Sequence, residues 1–329
     1  MSSAPIPGEF QRNESGFRNF ISSAPNARFP PASGRYHLYV AHACPWAHRT
    51  MLTRALKGLE DVISVTIVHP VWQKTRPDDQ HCGWAFSTSA TNKTLHNSIG
   101  IGGPFPLAYK GTEPDPLFGA RYVRDIYEAC HDTRGVYSVP ILVDKHTKTI
   151  VNNESSEIIR MLNSEFNEFA RNPHLDLYSP ADQAAIDAAN DWIYPAINNG
   201  VYRCGFAKSQ AAYDAAIQIL ADGLDKLESI LKKQDYIAGD HMTEADVRLF
   251  PTLLRFDEVY VVYFKTNARM IAHTPALLEY CRRMYQQPGV ANVCDMEQIK
   301  AHYYTSHPTY NHYSIIPRGS DFVALLEQK

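Results

Sequence analysis

Cys44-Pro45-Trp46-Ala47 follows a short strand-like run, Tyr36 to Ala41, so Cys44 falls where a strand gives way to a helix. The exposed N–H groups and the dipole of a helix start favour a thiolate, which is the nucleophilic form, and a lowered thiol pKa is expected. A redox disulfide motif needs a second cysteine three residues on, but that position is Ala47. No thiol inside the motif can resolve a mixed disulfide there, and the task falls to an external thiol. His42 and His48 flank the cysteine and would be recruited by zinc, yet no second cluster completes a tetrahedral site, so no metal is expected.

The elements that must position Cys44 follow from local pattern. Pro45 suits the first helical position, and Trp46 to Leu59 supplies helix formers before the Gly58 and Asp61 interruption. Ile63 to Val68 reads as a β-branched strand, which completes a right-handed β-α-β unit with parallel strands. An insertion follows over His69 to Gly119, broken by glycines and prolines such as Gly102-Gly103-Pro104. Its aromatics Trp72, Trp84, Phe86 and Phe105 favour a packed, functional loop. Arg121 to Cys130 reads as a helix, Val139 to Asp144 and Thr149 to Val151 as a hairpin, and Glu154 to Leu162 as a closing helix. That order is thioredoxin-like, and a cis Val139–Pro140 bond is expected in it.

Beyond a linker at Asn163 to Ser179 the pattern is wholly helical. Ser179-Pro180-Ala181-Asp182 reads as a capping box with proline at the first helical position, followed by Ile186, Ala189, Ile193 and Ile197 on one face. Ala212, Ala216, Ile219, Leu220, Leu224, Leu227 and Leu231 form an apolar stripe. Thr243-Glu244-Ala245-Asp246 is a second capping box, with Pro251 inside the helix it opens, and Pro275 to Tyr285 forms a further helix. The domains expected are an N-terminal extension over 1–34, an α/β domain over 35–163 with its insertion at 69–119, and an all-α domain over 180–329.

Composition narrows the function. The 329 residues carry a formal charge of −3, which does not suit a protein that coats phosphates, so no nucleic-acid partner is expected. No apolar run reaches the roughly 18 residues of a membrane helix, and no membrane partner is expected. Residues 1–34 lack a signal core, and the six cysteines are scattered without paired spacing, so a reducing, cytoplasmic setting and mostly buried cysteines are expected.

Taken together, Cys44-Pro45-Trp46-Ala47-His48-Arg49, the Trp84-bearing insertion, Val139-Pro140, Asn153-Glu154-Ser155-Ser156, Asn199-Gly200-Val201-Tyr202, the run Ala245 to Asp257 and Tyr303-Tyr304-Thr305-Ser306-His307 resemble the glutathionyl-hydroquinone reductases, or Xi-class glutathione transferases. The resemblance spans nearly the whole chain. It implies an α/β thioredoxin-like N-terminal domain with an all-α glutathione-transferase-like C-terminal domain, a homodimer, and glutathione as co-substrate.

The resemblance also implies two ligand sites. For glutathione, Glu154 would pair with the γ-glutamyl ammonium and Ser155 with its carboxylate at a helix start. Val139 would offer backbone groups to the cysteinyl part, with Val136, Tyr137 and Ser138 alongside and Trp84 as a wall. For a flat phenolic ring, Tyr202 is implied as proton donor and acceptor, with Tyr260 and Tyr303 near Cys44 helping to lower its pKa. The activity implied is reduction of a glutathionyl-hydroquinone through a Cys44–glutathione mixed disulfide that a second glutathione resolves. The alternatives are an omega-like thioltransferase or dehydroascorbate reductase, and a noncatalytic ligand carrier of the same fold.

Overall fold

The computed structural model describes residues 6–88 and 94–328. Two compact units emerge, one built from Ser15–Leu175 with Asn292–Pro317, the other from Met1–Glu14, Asp176–Ala291 and Arg318–Lys329.

The first unit is organised on a four-stranded sheet. β1 (Tyr36–Val40) leads through α1 (Pro45–Lys57) to β2 (Ser64–Ile67), which pairs with it in parallel. β3 (His69–Lys74) and β4 (Cys82–Ala85) form a separate antiparallel ribbon, and α2 (Val123–Ala129) follows. β5 (Ile141–Asp144) and β6 (Thr149–Asn152) return as the hairpin, with α3 (Ser155–Ser164) closing the run. The sheet order is β2-β1-β5-β6, with β5 antiparallel to β1. All five residues of β1 are buried, as a central strand covered on both faces requires. α1 packs against α3, so the starts of both helices belong to one layer. The α1 helix stops at Gly58, whose φ of 66° lets its N–H turn back onto the last carbonyls.

The expected thioredoxin-like order is present, and the Val139–Pro140 bond is cis. Where a loop was expected over 69–119, the β3–β4 ribbon begins it. The ribbon's register breaks between His69 and Gln73, so its sequence lacks the clean alternation that marks a strand.

The second unit is helical. α4 (Gln183–Ile193) runs through a π turn (Tyr194–Asn198) into α5 (Gly200–Gly205), followed by the long α6 (Gln210–Leu231) and α7 (Glu244–Arg255). A second π turn (Phe256–Tyr260), the short α8 (Val261–Tyr263) and α9 (Pro275–Tyr285) complete the series before α10 (Met296–Thr305) and α11 (Phe322–Leu326). The Thr243–Asp246 capping box forms as expected, with Asp246 accepting from the Thr243 N–H at 2.8 Å. The Ser179–Asp182 box does not start a helix: the Ser179 carbonyl accepts from Asp182 and Gln183 in a turn, and α4 begins afterwards. In α6, Ala212, Ala216, Leu220, Leu224 and Leu227 are buried, but Ile219 lies on the exposed side.

The units differ from the boundaries drawn by pattern: residues 6–14 group with the helical unit, and 164–175, drawn as linker, with the first. Residues 15–34 belong to the first unit, with Ile21 and Phe29 in its core. α10 belongs there too, because it lies on β3, where the Trp72 N–H donates to Ser306 Oγ at 3.0 Å. α11 remains with the helical unit.

Candidate active site

Cys44 is the N-cap of α1, with extended backbone (φ −79°, ψ 117°) and Pro45 at the first helical position. Proline costs no hydrogen bond there and presets the helical φ, which fixes where the cysteine sits. The thiol is partly exposed, and its S–H donates to the Val139 carbonyl at 3.3 Å. One turn on, His48 is fully buried and its Nε2 lies 3.7 Å from Cys294 Sγ, while His42 Nδ1 meets the Val293 carbonyl at 3.2 Å. Among the described residues no group of three or more histidine, cysteine or acidic side chains gathers as a metal site. All six cysteines are thiols, but only Cys204 and Cys281 are buried, so the expectation of mostly buried cysteines is not met.

The first unit also carries the segment Val136 to Val139. Val139 is buried, and the Ser138 carbonyl accepts from the Tyr127 hydroxyl at 2.9 Å. That hydroxyl in turn accepts from Asn153 Nδ2 at 2.9 Å. Burial raises the Tyr127 pKa to about 12, so it remains a neutral donor. Tyr137 packs edge-on against His81 and Tyr127.

At the start of α3, Glu154 is the N-cap, and its Oε1 accepts from the Ser156 N–H at 3.0 Å and the Ser156 hydroxyl at 2.9 Å. Oε2 accepts from Ser15 at 3.0 Å. Burial pushes this carboxyl up, but the hydrogen bonds from Ser156 and Ser15 and the positive charge of Arg49 outweigh it and hold the group below its ordinary value. Ser155 is buried beside Arg49, whose Nη1 donates to its hydroxyl at 3.4 Å. Arg49 lies on α1 with its guanidinium 4.5 Å from the Trp46 ring, so one buried cation ties the Cys44 helix to the Ser155 helix.

Trp84 on β4 is stacked on His302 at 4.4 Å and meets Trp72 edge-on at 5.6 Å. Tyr303 is buried on α10, with its ring 5.3 Å from that of His302. His302 thus brings Trp84 and Tyr303 into one cluster, built where α10 meets β4.

Tyr202 and Tyr260 belong to the helical unit. Tyr202, on α5, is enclosed by Phe10, Phe206, Phe264 and Tyr260, and the Arg12 guanidinium lies 4.5 Å from its ring centre. Arg12 is itself held by Asn199 Oδ1 at 2.9 Å. Tyr260 is fully buried in its π turn and stacks on Phe264 with nearly parallel rings.

Sequence reasoning did not assign Arg49, Tyr127, Asn153, Ser15, His302 or Arg12. Arg49 was visible inside the Cys44 motif, because a cation among buried helical positions needs a reason. Asn153 stood in the Asn153-Glu154-Ser155-Ser156 motif without a role, and Ser15, Arg12, Tyr127 and His302 meet partners that no local pattern points to.

Residues 43–165 match the glutathione S-transferase N-terminal domain, and 210–283 match its C-terminal domain. The chain is 42% identical over 320 residues to the glutathionyl-hydroquinone reductase YqjG of Escherichia coli strain K12, covering 95% of this chain and 89% of that protein. It is also similar to the solved glutathione-S-transferase Xi of Phanerochaete chrysosporium, with 45% identity, a TM-score of 0.83 and 95% and 98% of the two chains covered. The glutathione-bound structure of YqjG is 39% identical with a TM-score of 0.81 over 93% and 94% of the chains. A strand–cysteine–helix start, a cis proline beside the thiol and agreement along nearly the whole chain converge: this chain belongs to the glutathione transferase family, in the Xi class of the glutathionyl-hydroquinone reductases.

Proposed function

We propose that this enzyme reduces glutathionyl-hydroquinones to free hydroquinones with glutathione as co-substrate. The observation that carries the reading is Cys44 at the α1 N-cap, beside the Val139 carbonyl, with Ala47 where a second redox cysteine would stand. The helix start favours the thiolate. Cys44 attacks the sulfur of the conjugate, and the bond from that sulfur to the ring carbon breaks. Its electron pair stays on the carbon, which takes a proton from the Tyr202 hydroxyl. The products are free hydroquinone and a Cys44–glutathione disulfide. A second glutathione thiolate then attacks the glutathione sulfur, releasing oxidised glutathione and the Cys44 thiolate.

In this reading Glu154 and Ser155 hold the γ-glutamyl end, Val136 to Val139 run beside the peptide and Trp84 forms a wall. Tyr260 and Tyr303 help to keep Cys44 ionised. The Glu154 carboxylate and the buried Arg49 support a site for a zwitterionic α-amino acid group, because both signs of charge are held at one helix start. A cytoplasmic homodimer is part of the same proposal. Among the described residues no helix is long and apolar enough to cross a membrane.

The test incubates wild type and Cys44→Ala with a purified glutathionyl-hydroquinone and glutathione, following hydroquinone release and intact-protein mass. Release by wild type alone, with a transient glutathione adduct on Cys44, is the expected result. No release, with glutathione still taken up from a mixed disulfide, assigns the protein to omega-like thiol transfer; failure of both assigns a carrier.

A further inference from the structure

The first unit's N-terminal segment has a specific destination. From Ser15 to Ile21 it runs beside β6, where Arg18 bridges Asn152 in antiparallel fashion and the Asn19 N–H donates to the Val151 carbonyl at 3.0 Å. Asn153 and Phe17 close the contact, the Asn153 N–H donating to the Phe17 carbonyl and the Phe17 N–H to Asn153 Oδ1, each at 3.0 Å. Arg18 pairs with Glu157 on α3, and Ile21 is buried. β6 is the edge of its sheet, so this segment satisfies backbone groups that would otherwise face solvent.

The register of that docking brings one hydroxyl to the candidate glutathione site. Ser15 Oγ lies 3.0 Å from Glu154 Oε2 and 3.2 Å from the Asn153 carbonyl. Ser156 grips the other carboxylate oxygen, so the carboxylate is held from both sides. A carboxylate has about four lone-pair positions. The two donors of Ser156 and the one of Ser15 leave room for an ammonium N–H to complete the set.

We propose that Ser15 is a positioning residue for glutathione: the N-terminal segment docks on β6 so that the Ser15 hydroxyl fixes Glu154 in the orientation that receives the γ-glutamyl ammonium. The inference rests on the Glu154 assignment in the reading above. It gives the segment a role in co-substrate affinity rather than in the chemistry at Cys44, which Ser15 does not touch.

The test is calorimetric titration of glutathione into wild type, Ser15→Ala, Ser15→Thr and Glu154→Ala, with the Ser15→Ala/Glu154→Ala double variant closing the cycle. Ser15→Ala should raise the Kd roughly 3- to 10-fold, the net worth of one ordinary hydrogen bond, because Ser15 acts on glutathione only through Glu154. Ser15→Thr, which keeps the hydroxyl, should restore most of it, and Ser15→Ala should add nothing once Glu154 is gone. In steady state the loss should appear in KM for the glutathionyl-hydroquinone, whose glutathionyl group occupies this site, with kcat retained. A wild-type Kd for Ser15→Ala overturns the proposal. So does an unchanged Kd for Glu154→Ala, or a loss that threonine does not rescue and that follows a lowered Tm. Because binding is read directly, a wild type that fails to release hydroquinone would sink the reductase reading and still leave the Ser15 titration to be judged.

Discussion

The Cys44 thiol stands 3.3 Å from the carbonyl oxygen of Val139, across the gap between the start of α1 and the strand that follows the cis peptide bond. A thiol donates its proton to that oxygen. A thiolate has none to donate and is repelled by the carbonyl dipole, so ionisation releases both the sulfur for attack and the carbonyl for another donor.

Ala47→Cys tests the importance of the missing second thiol. Position 47 lies one turn along α1 and is fully buried, where a cysteine adds only one sulfur atom. The expected outcome is a disulfide between Cys44 and the introduced thiol after turnover, seen as loss of the glutathione adduct in non-reducing intact mass. The rate of the second step should then depend much less on glutathione concentration than in wild type.

Glu154 sets an acid limit. Its folded carboxyl lies below the ordinary value of 4.5 despite burial, because Ser156, Ser15 and Arg49 favour the charged form. A depressed carboxyl contributes stability that is present above its unfolded pKa and is lost as pH falls through the folded pKa. Acid unfolding monitored by circular dichroism should therefore steepen below about pH 4.5 in wild type and be flatter in Glu154→Gln. A steeper acid transition in the variant would contradict the assignment.

Arg35 and Asp144 join the start of β1 to the end of β5 through two hydrogen bonds of 3.0 and 2.7 Å. Burial pushes the Asp144 carboxyl up, but Arg35, the His146 N–H and the Thr147 hydroxyl outweigh it and hold the group low. Arg35→Met leaves a buried carboxylate without its cation, at a cost of about 3 kcal/mol. Denaturant unfolding should show that loss, and the acid midpoint should move to higher pH.

Tyr202→Phe separates packing from the proposed proton transfer. The ring keeps its neighbours Phe10, Phe206 and Phe264 and the Arg12 contact, so Tm should change little. Hydroquinone release at saturating substrate should fall by on the order of 10²-fold, the usual worth of a positioned acid. A wild-type rate would remove Tyr202 from the proton-donor role.

Much of this protein follows from short-range rules. Pro45 after Cys44, Gly58 after the last helical turn, the Thr243–Asp246 box and the Pro275 start each act within one turn of chain, and each element formed where its residues place it. The hairpin of β5 and β6 is equally local. Cys44 was legible for the same reason, because a helix start needs only its own few residues to favour a thiolate.

What the tertiary structure decided depends on partners distant in sequence. Nothing in Ser15 announces Glu154, 139 positions away, and nothing in α10 announces that it lies on β3 rather than among the other helices. The Ser179–Asp182 box has the right letters, but its donors and acceptors close a turn, and α4 starts only beyond it. The amino-acid sequence by itself determined the place of Cys44 at a helix start, the caps of α1 and α7 and the β-α-β and hairpin order of the sheet, through sterics and hydrogen bonds that act over a few residues. The edge partner of β6, the Arg49 link between two helix starts and the His302 cluster were decided by long-range packing, because their stabilisation exists only once the sheet and its covering helices have come together.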